Sequence, residues 1–178
     1  MKILREILRW IVFIGFVVVM TFVINTYVGQ RTQVKGHSME PALQYHDNLI
    51  VDRLSYHFRT PERFDIIVFP FSEGEDMYYI KRIIGLPGET VQIIEGEVYI
   101  NGVILISDQF GKELISDPGI ARYPITLGRE EYFVLGDNRN HSRDSRDPIV
   151  GVRHRSDFIG RAWIRIWPLS SFGIVDNE

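Results

Sequence analysis

Two side chains in this sequence sit in unusual company for their chemistry. One is Ser38, in "GHSMEPAL" (36–43), a hydroxyl flanked by a histidine and a methionine with a proline three residues on. The other is Lys81, in "MYYIKRIIG" (77–85), a cation inside an apolar strand pattern. A serine becomes a nucleophile only when a neighbouring base takes its proton. Histidine is the usual base, and the chain has five: His37, His46, His57, His141 and His154. His37 is adjacent to Ser38, and neighbours on an extended chain point to opposite faces. His141 is the better histidine candidate, in a polar loop with Asp137 and Asp144. "GHSME" approaches the nucleophile elbow G-x-S-x-G, but Glu40 occupies its fifth position and the strand-turn-helix frame is missing. The competing reading of both histidines is exposed loop residues.

Lys81 offers a different base. Lys81 and Arg82 are consecutive on a strand and must face opposite sides, so at least one points at a buried face. A lysine among isoleucines and tyrosines loses hydration, which lowers its pKa and frees the amine to accept a serine proton. Equally, it could snorkel from an edge strand. A third cluster, "GDNRNHSRDSR" (136–146), follows "EYFVL" directly and so begins where a strand ends. It reads either as a solvated turn held by Asx-type bonds or as a loop that orients a nearby site. The histidines show no metal-ligand spacing. The absence of cysteine removes disulfides, thiolate metal sites and a thiol nucleophile together.

These residues need a scaffold, and the chain supplies two kinds. Residues 10–28, "WIVFIGFVVVMTFVINTYV", carry no charge and would rise roughly 28 Å as a helix, about the thickness of a bilayer's hydrocarbon core. Trp10 and Tyr27 lie near its ends, where aromatic rings favour the interface. The apolar core is too long for a cleaved leader, and no small-x-small site follows it. Lys2, Arg5 and Arg9 before the run, against Arg31 and Lys35 after it, bias the N-terminus to the cytoplasmic side. Expected, then, are a short cytoplasmic segment (1–9), a transmembrane anchor (10–30) and an extracytoplasmic domain (31–178).

Past Arg31 the pattern turns to short β-type runs: "NLIVDR", "FDIIVF", "MYYIKRII", "TVQII", "EVYI", "VILI", "EYFVLG" and "IGRAWIRIW". Asn101-Gly102 predicts a type I′ hairpin turn, and Pro87-Gly88 a type II turn. "DRLSYHF" is the one candidate for a short helix. The fold class is therefore mostly β: an antiparallel β-rich domain behind one N-terminal helix. At 178 residues and 45% hydrophobic, the chain suits one packed domain plus an appendage. A net charge of −3 gives no footprint for nucleic acid.

Taken in order, an apolar anchor, "SMEPAL", "YIKRIIGLPGE" and "GDNRNHSRDSR" resemble the bacterial type I signal peptidases, in their short, single-anchor form. "RFDIIVF" and "VYINGV" also fit that pattern. The resemblance implies a membrane-bound serine endopeptidase with a Ser-Lys dyad and no cofactor. Its partners would be exported preproteins and the lipid bilayer, with the catalytic domain on the outer face of the cell membrane. Its expected activity is removal of signal peptides after small-x-small sites; the alternative is a dedicated peptidase for a narrow set such as pilin-like or conjugation proteins. By resemblance Ser38 is the nucleophile and Lys81 the base. Ser142 is the hydroxyl that orients the amine, Asp144 and Arg146 brace the site, and Arg82 is the arginine after the base. Met39 and Pro41 match the nucleophile turn. The Ser38 backbone N–H matches one oxyanion donor, while Gly36 stands where some members carry a second, a hydroxyl. Ala42 replaces a frequent threonine, and His46 and Phe64 stand where glycines often sit. Ser38 lies ten residues past Val28, no more than about 35 Å of chain from the end of the apolar run.

Overall fold

The structure is a computed structural model and describes residues 2–23, 29–70 and 78–175. Helix α1 (Lys2–Val23) opens the chain, and its described side chains are exposed on every face. Among the described residues no helix is long and apolar enough to cross a membrane. The uncharged described stretch of α1, residues 10–23, rises only about 20 Å, short of the roughly 30 Å a bilayer core requires. The remainder of the expected apolar run, residues 24–28 with Tyr27 and Val28, lies outside the described residues. The boundaries also differ from expectation. The helix begins at Lys2, inside the segment expected to precede it, and the first strand opens at Gly29, inside the expected anchor.

Among the described residues twelve strands follow, all paired antiparallel. In the larger sheet the order is β1 (Gly29–Gln33), β2 (Asn48–Asp52), β11 (Gly160–Trp167), β3 (Ile66–Pro70), β4 (Tyr78–Gly85), β9 (Glu131–Leu135) and β10 (Arg153–His154), with β12 (Gly173–Ile174) paired to β11. The smaller sheet runs β7 (Val103–Ile104), β6 (Glu97–Ile100), β5 (Thr90–Ile94) and β8 (Ile125–Thr126). Runs rich in branched and aromatic residues became strands because they fit a pleated, half-buried surface. Asn101 and Gly102 both take the positive φ that a type I′ turn demands, and Gly88 the positive φ of a type II turn. "DRLSYHF" supplies a single 3₁₀ turn, Ser55–His57. "VILI" pairs only over β7, and Met77, at the start of the expected β4 run, lies outside the described residues.

Among the described residues three apolar clusters fill the interior. One packs Met39 and Leu43 against β2, β3 and β11; another joins β5, β6 and β9; the third lies around Ile67, Phe69 and Ile83. β4 runs between β3 and β9, in the middle of the larger sheet, and is covered on both faces. That placement decides the question left open by the pattern. Lys81 does not sit on an edge: it and Arg82 are both buried, at 2% and 0% exposure.

His46 and Phe64, the two positions where a glycine is common in the resembling family, both hold φ near +71°. Left-handed backbone at a side chain larger than Asn costs about 1–2 kcal/mol. These turns keep the shape a glycine would adopt without strain.

Candidate active site

The site forms where three segments converge on the middle of β4. Arg82 is paired across the sheet with Ile66 on one side and Leu135 on the other. One residue past Leu135 the chain leaves β9 at Gly136, and the loop 136–146 folds back over the neighbouring Lys81. Much of the loop is withdrawn from solvent, although His141 and Arg143 stay exposed. Asp137, Arg139, Asp144, Ser145 and Arg146 are all buried.

The third segment is the turn after β1. Met39 is buried in the first apolar cluster, and its carbonyl accepts from Leu43 N–H, which pins the turn to the core. Pro41, preceded by a cis peptide bond, follows at its outer side. Ser38 is thereby carried to Lys81, with Nζ 2.7 Å from Ser38 Oγ. The amine also donates to the Ile80 carbonyl at 3.0 Å and lies 4.9 Å from the centre of the Tyr79 ring. Burial pushes the Lys81 pKa down from 10.5 to about 8; the Asp144 and Asp137 charges oppose that shift, and Arg146 adds to it. The amine is therefore close to half neutral at mildly alkaline pH, at hydrogen-bond distance from a hydroxyl. That arrangement can do nucleophilic acyl transfer with lysine as the general base.

Each nearby carboxylate has its own arginine. Arg82 holds Asp137 through two parallel bonds of 2.8 Å, with both groups out of solvent, and also donates to the Phe64 carbonyl. Its guanidinium lies 3.5 Å from the centre of the Phe110 ring. Arg146 grips Asp144 at 2.8 and 2.9 Å, and Asp144 in turn accepts from Gly136 N–H at 3.1 Å. Arg146 also donates to the carbonyls of Asp117 and Arg139, which tie the loop to the rest of the domain. Desolvation raises the Asp137 pKa, and Arg82 works against that rise. Gly136 must be glycine for room: a Cβ there would collide with Ser142 Oγ and the Ser38 carbonyl oxygen.

Two expectations fare differently. The Ser142 hydroxyl lies in this cluster, but it is buried with no hydrogen-bond partner among the described residues. The bond to Lys81 that the resemblance implies is not made here; the amine donates to Ser38 and Ile80. Gly36 lines the cleft beside Ser38 with a positive φ of 121° and open space around its Cα, so it brings no side-chain donor. The histidine alternative does not assemble. His37 Nδ1 faces Glu40 at 2.8 Å, and His141 Nδ1 faces Asn138 Oδ1 at 3.2 Å, both on the exposed surface.

Sequence reasoning overlooked Asn138, whose backbone N–H donates to the Ser38 carbonyl and whose amide donates to the His37 carbonyl, each at 3.1 Å. Only its place in a dense Asx-containing loop hinted at it, since its partners lie a hundred residues away in sequence. Tyr79 and Arg143 on the cleft rim were also overlooked. The cleft itself, about 200 Å³, is lined by Gly36, Ser38, Tyr79, Lys81 and Arg143 among others. A larger hollow of about 690 Å³, between Tyr56, Arg59, Arg129 and Arg155, contains neither member of the Ser-Lys pair. Size does not locate the chemistry in this fold.

A family model described as signal peptidase, peptidase S26, matches residues 7–167. This chain belongs to that family. It is similar to the signal peptidase I of Leptolyngbya laminosa, 41% identical over 90% of this chain and 79% of the relative. It is also similar to a Synechocystis protein named "Probable signal peptidase I-2", 37% identical over 90% of this chain and 73% of that one. A crystal structure of a signal peptidase I from Enterococcus faecalis V583 aligns with 36% identity over 58% of this chain and 97% of its own, at a TM-score of 0.47. As a member of the family the chain is a serine endopeptidase with the mostly antiparallel β fold described above.

Proposed function

We propose that this chain is a membrane-bound serine endopeptidase that removes N-terminal signal peptides from exported preproteins after small-x-small sites. The observation that carries this reading is the 2.7 Å contact between Ser38 Oγ and the buried amine of Lys81. Neutral Lys81 takes the Ser38 proton as the oxygen attacks the scissile carbonyl, then delivers it to the departing amine. Water, deprotonated by the same amine, hydrolyses the acyl-enzyme. The Ser38 N–H serves the oxyanion as one fixed donor.

A neutral lysine has two N–H bonds and one lone pair. When the Ser38 hydroxyl donates to the lone pair, one N–H stays on the Ile80 carbonyl and the other needs an acceptor. The unpartnered Ser142 hydroxyl supplies it, which gives that residue the orienting role implied by the resemblance. Asp144, Arg146, Arg82 and Asp137 hold the loop and β4 around the pair, and Met39 and Pro41 hold the turn.

The α1 helix serves as the anchor, with the N-terminus cytoplasmic and the β domain outside. Its described apolar side chains are exposed on every face, from Ile3 to Phe22, and that surface requires lipid or another apolar partner. The uncharged sequence continues through residues 24–28, enough to complete a span. No observation favours the narrower substrate set.

Single substitutions in a preprotein cleavage assay test the dyad. Ser38→Ala and Lys81→Ala abolish cleavage, and His141→Ala leaves most of it. Loss of cleavage in His141→Ala with retention in Lys81→Ala would overturn the reading.

A further inference from the structure

The nucleophile turn is held from outside by a side chain that never enters the cleft. Asn138 Nδ2 donates to the His37 carbonyl at 3.1 Å, and that carbonyl also accepts from Glu40 N–H at 3.2 Å. The Asn138 backbone N–H meanwhile donates to the Ser38 carbonyl at 3.1 Å. The side-chain amide is oriented in turn, since its Oδ1 faces His141 Nδ1 at 3.2 Å. Asn138 lines a separate hollow with Glu40 and Pro41, which shares no lining residue with the cleft.

The His37–Ser38 peptide bond is trans. In a trans peptide the carbonyl oxygen and the following N–H point in opposite directions within one rigid plane. Whatever holds the His37 carbonyl therefore aims the Ser38 N–H. With its carbonyl held by Asn138 and Glu40, which both line that second hollow, the plane points the N–H the opposite way. Among the described residues this N–H donates to no acceptor. A hydrogen-bond donor left free beside a nucleophile, in a plane fixed from behind, is preorganised for developing negative charge.

We propose that Asn138 is a positioning residue for the oxyanion hole: its amide fixes the His37–Ser38 peptide plane so that the Ser38 N–H meets the oxygen of the carbonyl under attack. This rests on the Ser-Lys reading of the site. It assigns the loop 136–146 a second task. Besides covering Lys81, the loop sets a backbone donor in a turn where Gly36 brings no hydroxyl.

Asn138→Ala removes the amide and leaves the backbone bond to Ser38 in place. Asn138→Asp keeps the shape and sets a carboxylate against the His37 carbonyl, which turns the plane. Both are assayed in the full-length protein on a preprotein and with a peptide aldehyde. Ser38 adds to the aldehyde carbonyl, its proton passing to the new oxygen, to give a hemiacetal with no leaving group. Complete removal of an oxyanion donor costs about 10²–10³ in kcat. Loss of its aim is expected to cost about 10-fold in Asn138→Ala and more in Asn138→Asp, with KM within about 2-fold. Aldehyde affinity falls by the same factor as kcat/KM, and the pH midpoint set by Lys81 stays where it is. An unchanged kcat, a loss carried by KM, or an aldehyde affinity that does not follow kcat/KM overturns the inference. If Asn138→Ala does not fold, the isosteric Asn138→Asp decides alone. Ser38→Ala separates the two levels: if it still cleaves, the dyad reading falls and this inference with it. If Ser38→Ala is inactive while both Asn138 variants cleave normally, only this inference falls.

Discussion

The pH dependence of cleavage is the sharpest consequence of where Lys81 lies. An ordinary lysine with a pKa of 10.5 is neutral about once in 3,000 molecules at pH 7. With the pKa lowered to about 8, the neutral fraction is about one in eleven. Burial thus raises the population of competent base about 300-fold, equivalent to ~3 kcal/mol. The rate of acylation at subsaturating preprotein should rise about fivefold from pH 7 to pH 8. Above that it can at most double, levelling by about pH 9.5. The same shift has a stability signature of definite sign. The folded-state pKa lies below the unfolded one, so between about pH 8 and 10.5 the unfolded chain binds more protons and stability rises with pH. Below pH 8 the full cost of holding this lysine remains. Lys81→Met should therefore narrow the difference between neutral and alkaline stability in denaturant titrations, even though it forfeits two hydrogen bonds. A midpoint near 6.5 would implicate a histidine, and a log-linear rise continuing past pH 9.5 would mean an ordinary, solvated lysine. Either result refutes the argument.

Three further perturbations follow from the packing. Asp137→Ala leaves the Arg82 guanidinium buried without its carboxylate, and truncating one partner of such a pair costs about 3–5 kcal/mol, measurable as a lower denaturation midpoint. Gly136→Ala forces a methyl group into the Ser142 hydroxyl and the Ser38 carbonyl, so the loop must move off the dyad. A displacement of about 1 Å at reacting groups can cost on the order of 10²-fold in rate, and an active, unperturbed Gly136→Ala enzyme would contradict the close approach. His46→Gly relieves a left-handed backbone at an exposed side chain and should stabilise by up to about 1 kcal/mol with cleavage unchanged, read by thermal melting.

The strands were legible where side chains alone favour a pleated surface, as in "FDIIVF", "TVQII" and "EYFVL". β1 was not, because "GQRTQ" has no such bias and is a strand only through its pairing with β2. β8, β10 and β12 are two-residue rungs that exist for the same reason. The hairpin and type II turns were legible because their φ values require Gly or Asn. For Lys81 the local pattern allowed both a buried and a snorkelling side chain. The choice rests on β4 being interior to the sheet, a property of topology that no window of sequence carries. Asn138 illustrates the same limit, since its meaning lies in carbonyls that the fold alone brings near.

The neutral base depends on how the surrounding charges are arranged, as well as on burial. Asp144 and Asp137 are the charges that oppose the depressed pKa of Lys81. Left unpaired beside the amine, either would favour an ammonium ion and remove the base at neutral pH. Each is instead held by two bonds from an arginine, Arg146 for Asp144 and Arg82 for Asp137, so the site contains two closed ion pairs and one amine with no carboxylate of its own. The adjacency of Lys81 and Arg82 on β4 makes this possible. Consecutive residues face opposite sides of the strand, so Arg82 neutralises Asp137 while Lys81 meets Ser38. A lysine and an arginine in succession, puzzling in an apolar strand, are two parts of one electrostatic device: the arginine absorbs the negative charge that would otherwise hold the proton on the lysine.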